Sequence, residues 1–279
     1  MSVVSLTLTK QQIDVLKESL NKYNDIIPPQ YANFKIAEPH LNITVYNSNK
    51  VVFQGHKAVE IAQKYMSKQI FPQAGSDETG NGSYFGPLCV AAVYIDDEIY
   101  EKIKHLKIDD SKATTDAYIN EIAPYLREVV PHSLVVLDNT KYNQIQKSLN
   151  QNAMKAMLHN QVFLKLSEHV KMPALTVIDQ FTPKQTYFNY LDANKPIYHD
   201  LKFETKAESK YLAVAAASII ARYAFNQALL QLSDHYGMSI PSGAGKTADE
   251  AARAFINRFG EDELKHVVKL HFANTKRLK

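Results

Sequence analysis

The segment covering residues 74–87 constrains the fold most, because four of the nine glycines of the chain fall inside it. It follows a short extended run and precedes the apolar run of residues 88–95, which predicts a strand, a tight turn and a buried strand. Asp77 and Glu78 end the first strand, just before Gly80-Asn81-Gly82. Such a turn lets the backbone approach a ligand closely, and its N–H groups can hold an oxyanion. A plain hairpin turn without a ligand would use the same glycines.

Strands and helices alternate along the chain after this opening pair. Apolar runs bounded by polar or turn residues predict the strands, and apolar residues at helical spacing predict the helices. Together they indicate an α/β domain whose sheet is mixed, with an antiparallel opening and parallel additions. The predicted strands cover residues 88–95, 134–137, 175–178 and 201–204, and the predicted helices cover residues 152–169, 210–236 and 248–259.

The first 68 residues form a separate, small α+β unit that is rich in lysine and contains no arginine. Residues 11–23 have a helical apolar pattern, with Thr9 as a possible cap, and Pro28-Pro29 then interrupts the chain. Residues 41–46 and 51–53 predict a hairpin, and residues 58–67 predict a helix. We therefore predict two domains, residues 1–68 and residues 69–279.

Bulk properties exclude few functions but set the compartment. The net charge is +3 and the pI is about 8.6, which permits a polyanionic partner without requiring one. The single cysteine, Cys89, lies in an apolar run, so an internal disulfide framework is excluded and a buried thiol is expected. No uninterrupted apolar run reaches the length of about 18 residues that a membrane span needs. No signal-peptide pattern opens the sequence, so we expect a cytoplasmic monomer that does not bind membranes.

Four carboxylates stand out by their position. Asp77 and Glu78 end a strand, Asp179 ends the strand of residues 174–178, and Glu208 precedes a helix of small residues. Acids gathered at one sheet edge repel one another unless cations neutralise them, and oxygen ligands suit Mg²⁺ or Mn²⁺. Two such ions about 4 Å apart can drive phosphodiester hydrolysis. Each acid alone would equally suit a cap or a surface position, so the prediction depends on their joint placement.

Several motifs, in order along the chain, resemble those of the type 2 and type 3 ribonucleases H. The resemblance covers the chain from about residue 70 to the end and includes the opening motif Ser76-Asp77-Glu78-Thr79-Gly80-Asn81-Gly82. The motifs that carry it are residues 75–88, the loop Asp110-Ser111-Lys112, residues 150–156 with His159-Asn160, residues 177–180, and residues 206–211 running into residues 215–222.

Three features make the chain more similar to the type 3 family than to type 2. Type 2 enzymes carry Arg between the two turn glycines, where this chain has Asn81, and Asp where this chain has Glu208. The first unit looks like the TATA-binding-protein-like substrate domain of type 3 enzymes. One departure is Asn49, where that family more often has Gly, but Asn tolerates the positive φ that a turn requires.

The resemblance implies an RNase H-like fold and an endonuclease that cuts the RNA strand of RNA–DNA hybrids. It implies that Asp77, Glu78, Asp179 and Glu208 hold two Mg²⁺ or Mn²⁺ ions, with Asp77 bridging them. Water would attack the phosphorus, leaving a 3′-hydroxyl and a 5′-phosphate, while the backbone of the turn reads ribose 2′-hydroxyls. The predicted substrate contacts are Gly80, Asn81, Gly82, Ser111, Lys112, Lys210 and Ser218 in the second domain, and Tyr46, Ser48, Lys50 and Gln54 in the first.

Three other functions fit parts of the sequence. A type 2 enzyme would incise at single ribonucleotides in duplex DNA, but Asn81 and the first unit favour longer hybrids. A hybrid-binding protein without activity would have no reason to keep all four acids, because they repel a polyanion. A phosphatase for small phosphate esters would not need the lysine-rich first unit.

Other basic groups are less informative. His132, His159 and His271 have no metal-type spacing, which indicates surface or packing positions. Residues 265–279 carry four Lys and one Arg, which predicts either a solvated basic tail or an extension of the nucleic-acid surface.

Overall fold

The chain builds two sheets, one in each of two units, Met1–Lys68 and Gln69–Lys279. The computed structural model describes residues 3–8, 10–20, 23, 26–63, 69–106, 108 and 115–278. Each unit has its own buried hydrophobic cluster.

The first unit is an antiparallel sheet with one face buried. Its elements are β1 (Val3–Thr7), α1 (Lys10–Ser19), β2 (Ala32–Glu38), β3 (Leu41–Tyr46), β4 (Lys50–Gln54) and α2 (Ala58–Gln63). The strand order is β1-β4-β3-β2. Ile43, Val45, Val51 and Phe53 are fully buried, because alternate residues of a strand point to the same side. Leu16 of α1 belongs to the same cluster, so helix and sheet share one core.

The predicted hairpin is confirmed as β3 and β4, in which Val45 pairs with Val51. Asn49 adopts a φ of 64°, so it takes the left-handed conformation that its turn requires. The α1 helix is shorter than predicted, since it ends at Ser19, although the expected Leu20 is buried after it. Thr9 and the end of the predicted second helix, residues 64–67, lie outside the described residues.

The second unit contains a five-stranded mixed sheet, as predicted. Its strands are β5 (Gln73–Thr79), β6 (Leu88–Ile95), β7 (His132–Leu137), β8 (Leu175–Asp179) and β9 (Lys202–Glu204). The order is β7-β6-β5-β8-β9. The pairs β5–β6 and β6–β7 are antiparallel, whereas β5–β8 and β8–β9 are parallel. The opening antiparallel pair therefore lies in the middle of the sheet, beside the parallel strands.

Helices cover both faces of this sheet, so β6 is buried on both sides. The described helices of this unit are α3 (Asp97–Ile103), α4 (Asp116–Val129), α5 (Asn139–Gln146), α6 (Gln151–Ser167), α7 (Lys184–Asn189), α8 (Leu212–Tyr236), α9 (Lys246–Phe259) and α10 (Ala273–Arg277). Cys89 and Ala91 of β6 pack in the cluster that contains α8, whereas Val90 and Ala92 pack in the cluster that contains α6. Cys89 is fully buried, as predicted.

Helix α8 lies directly on β5. A Cβ at Gly75 would be 2.5 Å from Val214 Cγ2 and 2.6 Å from its backbone nitrogen, so only glycine permits this approach. Among the described residues, α8 is also the one helix long and apolar enough to cross a membrane, with a mean hydropathy of 1.3 over its most apolar window. Of that window, 61% is buried against the rest of the unit, and burial in the core accounts for its composition.

Candidate active site

Two of the predicted acids lie at the same end of neighbouring parallel strands. Ser76 of β5 pairs with Ile178 of β8, so Asp77 and Asp179, each one residue further along, are adjacent. Asp179 in turn pairs with Glu204 of β9. Strand ends of this kind form the ligand-binding edge of α/β sheets.

The surroundings of Asp77 disfavour its ionised form. Burial raises its pKa to about 7, and the negative charges of Glu78 and, to a smaller extent, Asp179 act in the same direction. The Ser218 hydroxyl and the amide N–H of Glu78 oppose this rise, and that amide nitrogen is 2.8 Å from Asp77 Oδ1. The predicted contact Ser218 therefore lies beside the acid. A cation bound here would relieve the repulsion.

Two side chains of α6 compensate the negative charge of Glu78. Burial opposes its ionisation, but hydrogen bonds and charge from His159 and Lys155 outweigh burial and lower its pKa to about 2. Lys155 Nζ is 2.6 Å from Glu78 Oε1, and His159 Nε2 is 2.9 Å from Oε2. His159 is fully buried, so it is not a surface residue, and its ring contacts a predicted metal ligand instead of only filling space.

Asp179 and Glu208 are connected through a short 3₁₀ turn, Ala207–Ser209. The Ala207 amide donates to Asp179 Oδ1 at 2.8 Å. Lys206, just before the turn, has a φ of 54°, an uncommon conformation for a residue with a side chain. Glu208 is exposed and lies one residue beyond Ala207, whose amide makes the contact to Asp179.

The donor set fits a hard divalent ion by its chemistry, because Asp77, Glu78, Asp179 and Glu208 offer only carboxylate oxygens. In the part of the chain that the structure describes, no three Asp, Glu, His or Cys side chains already converge in a ligand arrangement. Both Glu78 oxygens are instead engaged by Lys155 and His159.

The two turn glycines differ in what requires them. Gly80 has a φ of +97°, and a Cβ there would lie 2.3 Å from Pro87 O and 2.9 Å from Phe225 Cδ2, so the fold itself requires glycine. Gly82 is exposed, and a Cβ there would meet nothing within 4 Å. Between them, the Asn81 carbonyl accepts a hydrogen bond from Gln151 Nε2 at 2.8 Å. Among described residues, the buried Asn81 Oδ1 has no partner.

The C-terminal segment donates hydrogen bonds to the residues that follow this turn. Lys269 is fully buried, and its Nζ donates to Ser83 O at 2.9 Å and Gly86 O at 2.5 Å. Its burial lowers the pKa of Lys269 to about 7. Arg277 pairs with Asp249 at 2.9 Å. Residues 265–278 are therefore not a solvated tail, because Lys269 supports the turn and Arg277 binds α9, although Lys265 and Lys276 are exposed.

The structure describes only one of the other predicted substrate contacts of the second unit, Lys210. Lys210 is exposed, but its Nζ is 2.5 Å from Glu204 Oε1, so its charge is already paired. Ser111 and Lys112, with Asp110, lie outside the described residues.

In the first unit, three of the four predicted contacts share the open face of the sheet. Tyr46, Lys50 and Gln54 alternate with the buried residues of β3 and β4, so they point away from the core. Ser48 is exposed in the turn between these strands. The face thus offers an amine, an amide and an aromatic ring to solvent.

Comparison with known proteins identifies the family. A family model described as Ribonuclease HII matches residues 74–275, and a domain of unknown function matches residues 2–77. Ribonuclease HIII of Listeria monocytogenes serotype 4b is 40% identical over 291 residues, which cover 95% of this chain and 94% of that protein. The chain belongs to the ribonuclease HIII family. The sequence-based choice of type 3 is confirmed, and the protein is a ribonuclease H-type hydrolase.

Further ribonuclease HIII relatives agree in sequence and in fold. The protein of Streptococcus agalactiae serotype Ia is 38% identical over 291 residues, covering 99% of this chain and 98% of its own. The crystal structure of Bst-RNase HIII in complex with Mn²⁺ matches with a TM-score of 0.74 and 38% identity, covering 99% of this chain and 98% of that one. The predicted RNase H-like fold is therefore confirmed for this ribonuclease HIII family member.

Proposed function

We propose that this chain cuts the RNA strand of RNA–DNA hybrids by a two-metal-ion mechanism and leaves 3′-hydroxyl and 5′-phosphate ends. The observation that carries the proposal is the buried Asp77, which is adjacent to Asp179 of the neighbouring strand and belongs to the strand that leads into the turn of the open Gly82. An acidic centre next to a backbone turn that a ribose can approach fits hydrolysis of a polyanionic RNA strand.

Asp77, Glu78, Asp179 and Glu208 would hold the ions, with Asp77 shared between them. When bound, two such ions activate the attacking water and stabilise the leaving 3′ oxygen. The chain contributes orientation: the Ala207 amide fixes the Asp179 carboxylate, and the Ser218 hydroxyl fixes Asp77. Preset carboxylates need little rearrangement during the reaction, which favours catalysis. The complex of Bst-RNase HIII with Mn²⁺ supports a divalent ion, and we propose Mg²⁺ or Mn²⁺.

The turn would read the RNA strand. Its backbone at Gly80, Asn81 and Gly82 would contact ribose 2′-hydroxyls, the group that distinguishes RNA from DNA. Gln151 donates to the carbonyl of Asn81, and Lys269 donates to the carbonyls of Ser83 and Gly86. These hydrogen bonds hold the turn on both sides of Gly82, so the geometry of the turn is set before substrate binds. Lys210, Ser111 and Lys112 would follow the phosphate path.

The first unit would add binding affinity. Lys50 suits a phosphate, Tyr46 can stack on a sugar or base, and Gln54 and Ser48 can donate hydrogen bonds. All four face solvent or are half-exposed on one side of the unit. We therefore assign residues 1–68 as a substrate-binding unit and residues 69–279 as a catalytic unit. We propose that the protein acts as a monomer in the cytoplasm.

Alanine at the two turn glycines tests the role of the turn. Gly82→Ala meets open space, so we expect an unchanged Tm but a drop in kcat/KM on a hybrid of roughly 10-fold or more, because a Cβ would hold the ribose away. Gly80→Ala serves as the contrasting variant. Its clash and positive φ should cost at least about 1 kcal/mol, which lowers Tm by roughly 2–4 °C. Full activity of Gly82→Ala on the hybrid would show that the RNA does not approach this turn.

A further inference from the structure

Lys155 is a buried lysine in direct contact with one of the four acids. It lies in α6, is 4% exposed, and its Nζ is 2.6 Å from Glu78 Oε1. The Phe181 ring lies on the amine, with its centroid 3.9 Å from Nζ, a cation–π distance. The ammonium group is therefore enclosed between an acid and an aromatic ring, away from solvent.

His159, one helical turn further along α6, holds the other oxygen of Glu78. Its Nε2 is 2.9 Å from Glu78 Oε2, and its Nδ1 is 2.8 Å from Ser76 Oγ. An ionised carboxylate only accepts, so the Nε2–H of His159 donates to Glu78, while Ser76 Oγ holds the opposite side of the ring at Nδ1. The ring also stacks on Phe181, with the centroids 5.4 Å apart. Glu78 thus has a fixed orientation that requires no metal ion.

In the metal-free protein, Lys155 offsets the repulsion among the buried carboxylates. Asp77, Glu78 and Asp179 gather negative charge at one sheet end, and burial makes their repulsion costly. Lys155 supplies a compensating positive charge from within the fold. Removing it would leave Glu78 buried beside Asp77 with no ammonium partner, which destabilises a fold strongly.

The same charge works against a divalent ion. An ion bound through Glu78 would share that carboxylate with the Lys155 ammonium group, and like charges repel. A group that stabilises the metal-free state more than the loaded state lowers the affinity for the ion by the same free energy.

We propose that Lys155 is a built-in counter-ion of the acidic centre: it stabilises the metal-free fold, competes with the divalent ion for Glu78, and so sets the ion concentration at which the enzyme becomes loaded. This inference rests on the proposed function, because it takes Glu78 as an ion ligand.

The test compares full-length wild type with Lys155→Met, measuring Tm in EDTA and Mn²⁺ affinity from the EPR signal of free Mn²⁺. We expect Lys155→Met to lower the metal-free Tm, to bind Mn²⁺ on the order of 10-fold more tightly, and to gain more Tm from saturating Mn²⁺ than wild type does. Lys165→Met is the matched control, since Lys165 is an exposed lysine of the same helix, and both quantities should stay at their wild-type values.

Lys155→Gln is the second variant, because it removes the charge but keeps an N–H donor for Glu78 and is the milder change. It should also bind Mn²⁺ more tightly, whereas Lys155→Arg, which keeps the charge, should not. Unchanged or weaker Mn²⁺ binding by both neutral variants would overturn the inference and make Lys155 a residue that only positions Glu78. Absence of Mn²⁺ binding by the wild type itself would overturn the proposed function, and this inference with it.

Discussion

Asp77→Asn is expected to reduce kcat on an RNA–DNA hybrid by at least about 10³-fold, which exceeds the 10²–10³ typical of losing one transition-state donor. The substitution removes the charge that two ions would share while keeping the side-chain volume. It also removes repulsion from Glu78 and Asp179, so the Tm without metal should not fall. Single-turnover cleavage measures the chemical step, and fluorescence anisotropy measures hybrid binding, which should persist.

Asp234→Asn is a suitable control for Asp77→Asn, because it neutralises an exposed acid at the end of α8 and should leave kcat unchanged. If Asp77→Asn retained cleavage within about 10-fold of wild type, Asp77 would not be the shared ligand. The centre would then have to be built around Asp179.

Deletion of residues 1–68 is expected to raise KM for a hybrid by roughly 10–100-fold while kcat changes by less than about 3-fold. Binding groups outside the reacting centre contribute equally to ground and transition states, so their loss appears in KM. The first unit has a core of its own, and all four acids lie in the second unit. Steady-state kinetics on a long hybrid, at two salt concentrations, separates the change in KM from the change in kcat.

A weaker salt dependence of KM in the shortened chain would identify lost phosphate contacts, because each released counter-ion steepens that dependence. A full-length variant with Lys50→Ala and Gln54→Ala should show part of the same rise. An unchanged KM after the deletion would assign the first unit a role other than substrate binding.

The sequence predicted the acidic strand ends well, because strand register is set by local patterns. The continuous apolar run of residues 88–95 predicted β6, and the apolar run of residues 174–178 predicted β8, which ends at Asp179. The short extended run before the glycine turn predicted β5, which continues past Asp77 to Thr79. Weak elements were missed. The edge strand β1 is never fully buried along its length, so its pattern carries little signal.

Contacts between distant parts of the chain could not be predicted in the same way. Lys155 and His159 lie 77 and 81 positions from Glu78, and only their spacing of four residues on the buried side of α6 hinted at a shared target. Lys269 gave no hint, since it contacts backbone carbonyls, which every residue has. Its burial follows from how the C-terminal segment packs behind the turn.

Selective cleavage of a hybrid tests the central claim most directly. With Mn²⁺ or Mg²⁺ present, the protein would be incubated with three end-labelled duplexes: RNA/DNA, DNA containing one ribonucleotide, and DNA/DNA. We predict cutting of the first alone, with products that carry 3′-hydroxyl and 5′-phosphate ends. Efficient cutting at the single ribonucleotide, or no metal-dependent cutting of the hybrid, would contradict the account.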